Sequence, residues 1–531
     1  MIPKGGTFME NKIACVQGEF FETECMKGNY KEKENISEDK STRRIKAVNR
    51  QQMYLRMVEV EKLVEEDHEV RAIWELTGKL DLSQYYASIK VMNNAAGRSA
   101  SDPRVLISIW IYSYSKGISS AREITRLSEY DPAYQWLTGM EPINYHTLSD
   151  FRVDHQGALT TLFTQVLGVL SAEGLVTLEH VMHDGTKIKA CASSDTFRRE
   201  ERIKEHLKIA KEQIERMGDP REAEEVSPRI TKARERAVRE KKERLECALR
   251  ELEKIRASKT SEEEKAQARV SQTDPQARIM KQNNGGYGPS YNVQISTDAK
   301  EKIIVGVGIS QSANDCDELM KAKERIEENV QQVPGKMVVD GGFISRENIV
   351  KMHDAKNGEL IGPIPNHKNQ SQSQLRRRGV SPDFDPHKFM YDAVTDIYIC
   401  PNGKLLRYDG KEQHVGRMVY KYRCNAKDCQ GCTSKQFCCP KNETKGRSLV
   451  RSEESPEITS FIEKMQTQEA KDIYKRRGEV AEFPNLWIKS KIKLQQFRVR
   501  GLLKTGMETT WACLTYNISQ WIRLCWIPQR A

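Results

Sequence analysis

The sequence predicts a mixed α/β fold with three additions: an all-helical N-terminal domain, a charged helical hairpin inserted between strands, and a cysteine-rich insertion. Three observations predict it. Apolar residues recur at helical spacing through residues 51–170, strand-like runs take over after Gly174, and from Asp315 onward helix and strand alternate. Strands followed by alternating strand and helix describe a mixed sheet flanked by helices. A chain of 531 residues exceeds what one hydrophobic core serves, so several units are expected.

Residues 1–50 are rich in Lys, Glu, Gly and Asn and end in the basic run Arg43, Arg44, Lys46, Arg50, which reads as a mobile basic arm. In residues 51–170, Ile73, Trp74, Leu76 and Leu80 mark one helix and Val105, Leu106, Ile109, Trp110 and Tyr112 another. Ser119-Ser120-Ala121-Arg122-Glu123-Ile124 and Tyr145-His146-Thr147-Leu148-Ser149-Asp150-Phe151-Arg152 read as helix starts, with Ser or Thr near the cap. Short capped helices suit docking on DNA and suit a plain bundle equally.

Residues 171–365 form the expected core. Strands are predicted at Leu175–Met182, Thr186–Ala190, Tyr291–Ser296 and Ile303–Ile309, then a helix at Asp315–Val330, a strand at Lys336–Asp340, a helix from Ser345 and a strand within 359–364. Residues 196–270 interrupt the core: Leu245, Leu249, Leu252 and Ile255 at helical spacing, with a Gly218-Asp219-Pro220 break, predict a helical hairpin. Its charge fits a solvated face or an arm that touches DNA. Residues 366–456 read as irregular and cysteine-rich, and 457–531 as helices completing the core, with Trp511, Leu514, Tyr516, Ile518 and Trp521 as apolar faces.

Charged residues make up 30% of the chain, and Lys plus Arg outnumber Asp plus Glu by 86 to 75, a formal charge of +11 that suits a polyanionic partner. No apolar run reaches the roughly 18 residues that cross a bilayer, and charges break any signal core near the start, so no membrane partner and a cytoplasmic location are expected. Gly285-Gly286-Tyr287-Gly288 lacks the Lys-Ser/Thr of a phosphate loop and reads as a flexible connection, so no nucleotide is expected.

Asp184 follows an apolar run and precedes Gly185-Thr186; Asp340 ends Met337-Val338-Val339 and precedes Gly341-Gly342-Phe343. Each is expected at a strand end with a turn beyond, an arrangement that turn chemistry alone also produces. Two carboxylates delivered to one edge suit Mg²⁺, which prefers hard oxygen ligands. Two such ions about 3.5–4 Å apart activate the attacking oxygen of a phosphodiester exchange and stabilise the leaving one. A third acid is sought in the basic segment Tyr474-Lys475-Arg476-Arg477 through Glu482 to Lys489. Pro484 is best placed in a first helical turn, predicting a helix from Phe483 or Pro484 with Glu482 at its start and Glu479 as a surface partner of Arg476. His180 and His183 flank the first strand and read as packing residues.

Taken together, His183-Asp184-Gly185-Thr186, Asp274-Pro275-Gln276-Ala277-Arg278, Tyr291-Asn292-Val293-Gln294, Asn314-Asp315 and Val338-Val339-Asp340-Gly341-Gly342-Phe343 resemble insertion-sequence transposases of the DDE type. The tail Tyr474, Arg477, Glu482, Lys489 resembles that group's Tyr/Arg/Glu/Lys signature, whose pattern places three or four residues between Arg and Glu; Arg477 has four, which leaves Arg476 as the weaker candidate. Gly97–Arg152 resembles its helical N-terminal domain.

The resemblance implies a ribonuclease-H-like catalytic sheet and a homodimer acting on double-stranded DNA, both the transposon inverted repeats and the target. It implies cleavage by water followed by attack of the freed 3′-hydroxyl. It gives Asp184, Asp340 and Glu482 the role of Mg²⁺ (or Mn²⁺) ligands and Tyr474, Arg477 and Lys489 that of DNA contacts. A plain nuclease of the same fold and a catalytically silent DNA-binding protein are the alternatives.

Of 13 cysteines, six fall between Cys400 and Cys439. Cys429-Gln430-Gly431-Cys432 has the two-residue gap that lets both thiolates face one tetrahedral ion. Cys400, Cys429, Cys432 and Cys438 or Cys439 therefore form a candidate structural Zn²⁺ site, with free thiols as the alternative.

Overall fold

The computed structural model describes Arg50, Met53 and residues 57–89, 99–217, 228–282, 285–354, 358–364, 374–440 and 445–529. The basic arm expected over 1–50 lies, apart from Arg50, outside the described residues. The chain divides into two compact units, Met1–Met57 and Val58–Ala531, and the elements below belong to the second.

Helices come first: α1 (Glu69–Gly78), α2 (Ser83–Tyr86), α3 (Pro103–Ser115), α4 (Ala121–Tyr130), α5 (Pro132–Thr138), α6 (Tyr145–Asp154) and α7 (Gln156–Ala172). Their starts are written in the sequence. Asp102 and Asp131 each accept backbone N–H groups ahead of a proline at the first helical position, while Ser120 and Asn144 cap α4 and α6. Buried residues surround α3 on every side, Ile107, Ile109, Trp110, Ile111 and Tyr114 among them, which makes it the helix the others pack around.

The central sheet contains β1 (His180–Lys189), β4 (Arg278–Lys281), β5 (Tyr287–Asp298), β6 (Ile304–Ser310), β7 (Lys336–Val339) and β8 (Glu359–Ile361). Strand β1 sits in the middle, antiparallel to β5 and parallel to β7; β6 pairs with β5, and β8 continues in parallel beyond β7. Helices α11 (Leu319–Val330) and α12 (Arg346–Asp354) make the crossovers into β7 and β8. Two expectations are corrected here. The first strand is one ten-residue run through Asp184 rather than two strands broken at a turn. Of the glycine-rich stretch expected to be a flexible connection, Tyr287 and Gly288 already lie in β5, and Gly286 O accepts the Gln282 N–H (2.7 Å).

Between β1 and β4 the chain leaves the sheet. Strands β2 (Phe197–Arg198) and β3 (Val270–Ser271) pair at the root of a helical hairpin of α8 (Glu200–Met217) and α9 (Pro228–Ala257), followed by α10 (Glu262–Ala266). Its seam is short: Ile203, Leu207 and Ala210 against Leu245, Ala248 and Leu252. The root is tied to the sheet by buried Glu251, which pairs with Arg278 on β4 and accepts from Gln311 Nε2 (3.2 Å) just past β6.

The cysteine-rich stretch is not irregular. It holds a five-stranded antiparallel sheet of β9 (Met390–Asp392), β10 (Ile397–Ile399), β11 (Leu405–His414), β12 (Arg417–Cys424) and β13 (Ser448–Glu454), with short helices α13 (Ala426–Gln430) and α14 (Lys435–Cys438) before β13. Its small core includes Phe384, Phe389, Leu406, Tyr422 and Leu449. Most of β11 is exposed, so the apolar alternation that marks a half-buried strand is weak.

Four helices close the chain: α15 (Pro456–Gln466), α16 (Gln468–Lys475), α17 (Arg477–Ser490) and α18 (Leu502–Trp521). Helix α18 joins the two halves of the unit. Asn517 accepts the Ile304 N–H (2.9 Å) and donates to Ile304 O (2.8 Å) along the outer edge of β6. On the helical side, Glu508 faces Arg152 at 3.6 Å and Trp511 Nε1 donates to Arg152 O (3.2 Å). Burial raises the Glu508 carboxyl above the usual range, and the Arg152 charge opposes that rise. Among the described residues, no helix is long and apolar enough to cross a membrane.

Candidate active site

The parallel pairing of β1 with β7 ends at His183 against Val339. The next residue on each strand is an aspartate, Asp184 and Asp340, so the two start from neighbouring strands roughly 4.8 Å apart. Asp184 lies inside its strand, opposite Ile295 of β5, and Asp340 lies just past the end of β7. Asp340 Oδ1 accepts the Gly342 N–H (2.8 Å), the turn contact its sequence foretold.

Gly185 serves a different purpose from a turn. A Cβ there would stand 2.7 Å from Asp315 Oδ1, 2.8 Å from Gln294 Nε2 and 3.2 Å from Asn292 Oδ1. Its missing side chain lets a polar cluster close on the strand next to Asp184. Within that cluster Asp315 accepts from Asn292 Nδ2 (2.6 Å), Gln294 Nε2 (2.9 Å) and Lys187 Nζ (3.2 Å). Sequence reasoning quoted Asn314-Asp315 without giving it a task; its partners lie on β1 and β5, out of reach of any local pattern.

Helix α17 supplies the other wall. Arg477 Nη1 stands 3.7 Å from Asp184 Oδ1, Asn485 Nδ2 donates to Asp184 Oδ2 (3.1 Å), and Lys489 donates to the Thr186 hydroxyl. Residues 477, 481, 485 and 489 rise at four-residue intervals, so they form one ridge along the helix. Burial pushes the Asp184 carboxyl up to about 6; Arg477 opposes this, and Asp340 and Asp315 add to it. Burial also lowers the Lys489 ammonium, with Asp184 opposing and Lys187 reinforcing.

Two oxygens at this edge are of the kind a hard cation takes. Asn485 Oδ1 and Asn292 Oδ1 are buried carbonyl oxygens with no donor, one beside Asp184 and one beside Asp315. Acceptor oxygens without hydrogens to accept are what Mg²⁺ takes as ligands. Among the described residues, no three His, Cys, Asp or Glu side chains stand close enough together to hold an ion.

The remaining acid, Glu482, is exposed and makes no hydrogen bond or ion pair to either aspartate among the described residues. It lies in the second turn of α17, not at a helix start: the helix begins at Arg477 and runs through Pro484. Proline removes one intrahelical bond, and the buried Val480, Ala481, Pro484, Asn485 and Ile488 offset that loss by packing. On the helical wheel Glu482 falls about 60° from Asn485 and about 20° from Lys489, at the border of the face that meets Asp184. Glu479 pairs with Lys302 (2.7 Å) rather than with Arg476. Tyr474, on α16, is half-buried against the core and touches neither aspartate among the described residues. His183 is a satisfied core residue: its ring nitrogens meet Ser296 Oγ and Gln294 Oε1, both at 2.9 Å, and burial lowers it to about 4.

The second candidate centre lies in the cysteine-rich sheet. Cys400, Cys424, Cys429, Cys432, Cys438 and Cys439 line one cavity of about 20 Å³, room for a single water-sized occupant. Three of the sulfurs accept N–H donors: Cys400 from Lys404 N (3.2 Å), Cys429 from Arg447 N (3.3 Å) and Cys432 from Asn402 Nδ2 (3.3 Å). Cys424, left out of the sequence-predicted set, is buried and hydrogen-bonded to Cys429, and burial followed by that bond raises its thiol to about 12.

Two family models match the chain. A transposase DDE domain matches residues 399–522, spanning the cysteine cavity and the Tyr474–Lys489 segment. A second model, a transposase domain (DUF772), matches residues 58–154, the helical part. No curated protein matches. Among solved structures, the cryo-EM structure of a piggyBac transposase synaptic complex with hairpin DNA is 9% identical, with 89% of this chain and 83% of that chain covered; at a TM-score of 0.23 the likeness carries no argument. With one transposase domain matched near each end, the two matches support an insertion-sequence transposase of the DDE type.

Proposed function

We propose that this transposase binds the inverted repeats at the ends of its element and cuts and rejoins double-stranded DNA there, with Asp184, Asp340 and Glu482 as ligands of Mg²⁺ or Mn²⁺. The observation that carries the reading is the arrival of Asp184 and Asp340 at one register of neighbouring strands, beside the donorless oxygen of Asn485. A sheet that is antiparallel on the β5–β6 side of β1 and parallel on the β7–β8 side supports a ribonuclease-H-like core. When bound, the cation supplies the Lewis acidity that phosphodiester cleavage needs.

The chain's own residues do the rest. Asn485 and Arg477 fix the rotation of the Asp184 carboxylate. Arg477 and Lys489, with Tyr474 one helix earlier, approach the DNA backbone, where charge-assisted bonds to phosphate position the strand. Water breaks the first phosphodiester and frees a 3′-hydroxyl; that oxygen then bonds to a target phosphorus as the target's own 3′-oxygen leaves. Residues 51–170 serve end binding and assembly, 171–365 and 457–531 form the catalytic core, and a homodimer holds two ends in the cytoplasm at the nucleoid. The test is incubation of the full chain with Mg²⁺ and a duplex carrying the repeats that flank its gene. Specific nicking and strand joining are expected; nicking without joining would make the protein a plain nuclease, and neither would leave a silent DNA-binding protein.

For the cysteine cavity we propose structural zinc, held by Cys400, Cys429, Cys432 and Cys438, with Cys424 or Cys439 at its border; the thiols ring the cavity without being gathered into an ion site among the described residues, and the bound metal would draw them together. Support comes from one cavity ringed by soft ligands and from N–H groups already aimed at three sulfurs. Elemental analysis of purified protein should return about one zinc per chain. Cys429→Ser and Cys432→Ser should lower the melting temperature while the folded fraction still cleaves; a metal-free chain of full stability would leave free thiols.

A further inference from the structure

The apolar seam of the α8–α9 hairpin ends at Leu245, yet α9 continues toward its N-terminus with no buried residue over 230–244. Those fifteen residues extend about 22 Å past the seam. They hold seven basic side chains, Lys232, Arg234, Arg236, Arg239, Lys241, Lys242 and Arg244, against three acids, Glu235, Glu240 and Glu243. Nothing apolar requires this extension.

How the charges are arranged matters more than their number. On α8, bases stand one turn from acids and are neutralised: Lys204 with Glu200, Arg202 with Glu205, Lys208 with Glu212. On α9, Lys232, Arg236 and Arg239 fall at i, i+4 and i+7, within about 60° of one another on the wheel. All three are exposed, and none pairs with a carboxylate among the described residues. Like charges stacked at one-turn spacing each destabilise a helix by a few tenths of a kcal/mol. Glu235, Glu240 and Glu243 stand one turn from these bases yet pair with none of them among the described residues, so the strip keeps an excess of positive charge that an external polyanion turns into an attraction.

Position completes the case. The hairpin's root is fixed by Glu251 to Arg278 of β4 and to Gln311, four residues before Asp315 at the carboxylate edge. The arm therefore springs from the flank of the candidate active site.

We propose that Lys232, Arg236 and Arg239 form a sequence-independent docking strip for the phosphate backbone of duplex DNA running past the cut. This rests on the reading of the protein as a DNA-cleaving transposase. A strip of about 10 Å, seven residues long, lies along roughly three base pairs at 3.4 Å each, enough for each base to meet its own phosphate.

The test measures binding of the full chain to a mixed-sequence duplex, without inverted repeats, across a salt series. Each phosphate contact contributes about −0.9 to the slope of log affinity against log salt, so the triple variant Lys232→Gln, Arg236→Gln, Arg239→Gln should flatten the slope by about 2 to 3. The charge-conserving triple variant Lys232→Arg, Arg236→Lys, Arg239→Lys should keep it. Glutamine sustains helix, so circular dichroism of both variants should match the parent. An unchanged slope in the glutamine variant overturns the strip. So does a loss shared by both variants, or an unchanged slope with altered self-association, which would make the face a contact between copies. If the parent fails to cleave element ends while the strip still sets the slope, the transposase reading falls and the strip stands.

Discussion

Asp184→Asn and Asp340→Asn are each expected to lower end cleavage by at least about a thousandfold, since a lost metal ligand removes several kcal/mol of transition-state stabilisation and each 1.36 kcal/mol is tenfold. End binding, measured separately by gel shift, should remain. The two variants should part company in stability. Asp184 is raised from 3.8 to about 6, chiefly by burial. Below pH 4 the carboxyl is neutral in both folded and unfolded chains and contributes nothing. Between those values the unfolded chain ionises first, so above pH 6 the folded chain carries a buried charge costing about 3 kcal/mol. Asp184→Asn removes that cost and should melt higher than the parent at pH 8 without metal, although it is inactive. Added Mg²⁺ should raise the parent's melting temperature and leave the variant's unchanged. In the parent, metal affinity should fall as pH drops through 6, because the proton and the ion compete for one carboxylate. If Asp184→Asn nicked end DNA near the parent rate, that residue would not be a ligand.

Glu482→Gln should match that loss of cleavage, and Glu479→Gln should leave both cleavage and melting temperature near the parent's. The difference comes from which face of α17 each occupies. Glu479 is spent on an exposed pair with Lys302, which solvent screens. Glu482 borders the ridge where Arg477 and Asn485 already contact Asp184. The favourable dipole of a helix start does not explain it, because that effect fades within the first turn and Glu482 stands in the second. Its side chain now leans back toward Gly478, where an added Cβ would stand 3.7 Å from Oε1. Rotation about its own bonds is the movement required to bring it toward the aspartate edge. A dead Glu479→Gln beside an active Glu482→Gln in the same Mg²⁺ assay would move the third acid one turn toward Arg476.

Much of this was legible where the governing forces are local. Ser120 announces the start of α4 because a cap acts within a few residues. Leu245 and Leu252 announce the hairpin seam because a helix repeats every 3.6 residues. Asp340 was legible as a strand end since its own side chain makes the turn. Asp184 was misread because a glycine after an aspartate signals a turn far more often than a close approach, and what Gly185 admits lies on β5 and beyond β6. Asn485 was invisible: it meets Asp184 across 301 residues, and no periodicity spans that distance. The sheet from β9 to β13 was missed since its strands are short or largely exposed, so polar side chains occupy both faces. Pro484 misled because tertiary burial overrode a local cost.

The amide of Asn517 has a bearing on how this protein is made. A strand edge with open N–H and C=O groups recruits whatever extended chain comes near. Asn517 satisfies both groups of Ile304, taking the position a further strand would hold. The two residues are 213 apart in the chain, so at about 5–20 residues per second that position stays open for roughly 10–40 s after β6 leaves the ribosome. During that interval the unfinished sheet is adhesive toward other nascent chains. Crowded ribosomes on one message should therefore lose product to aggregation, and slow production should favour the folded enzyme.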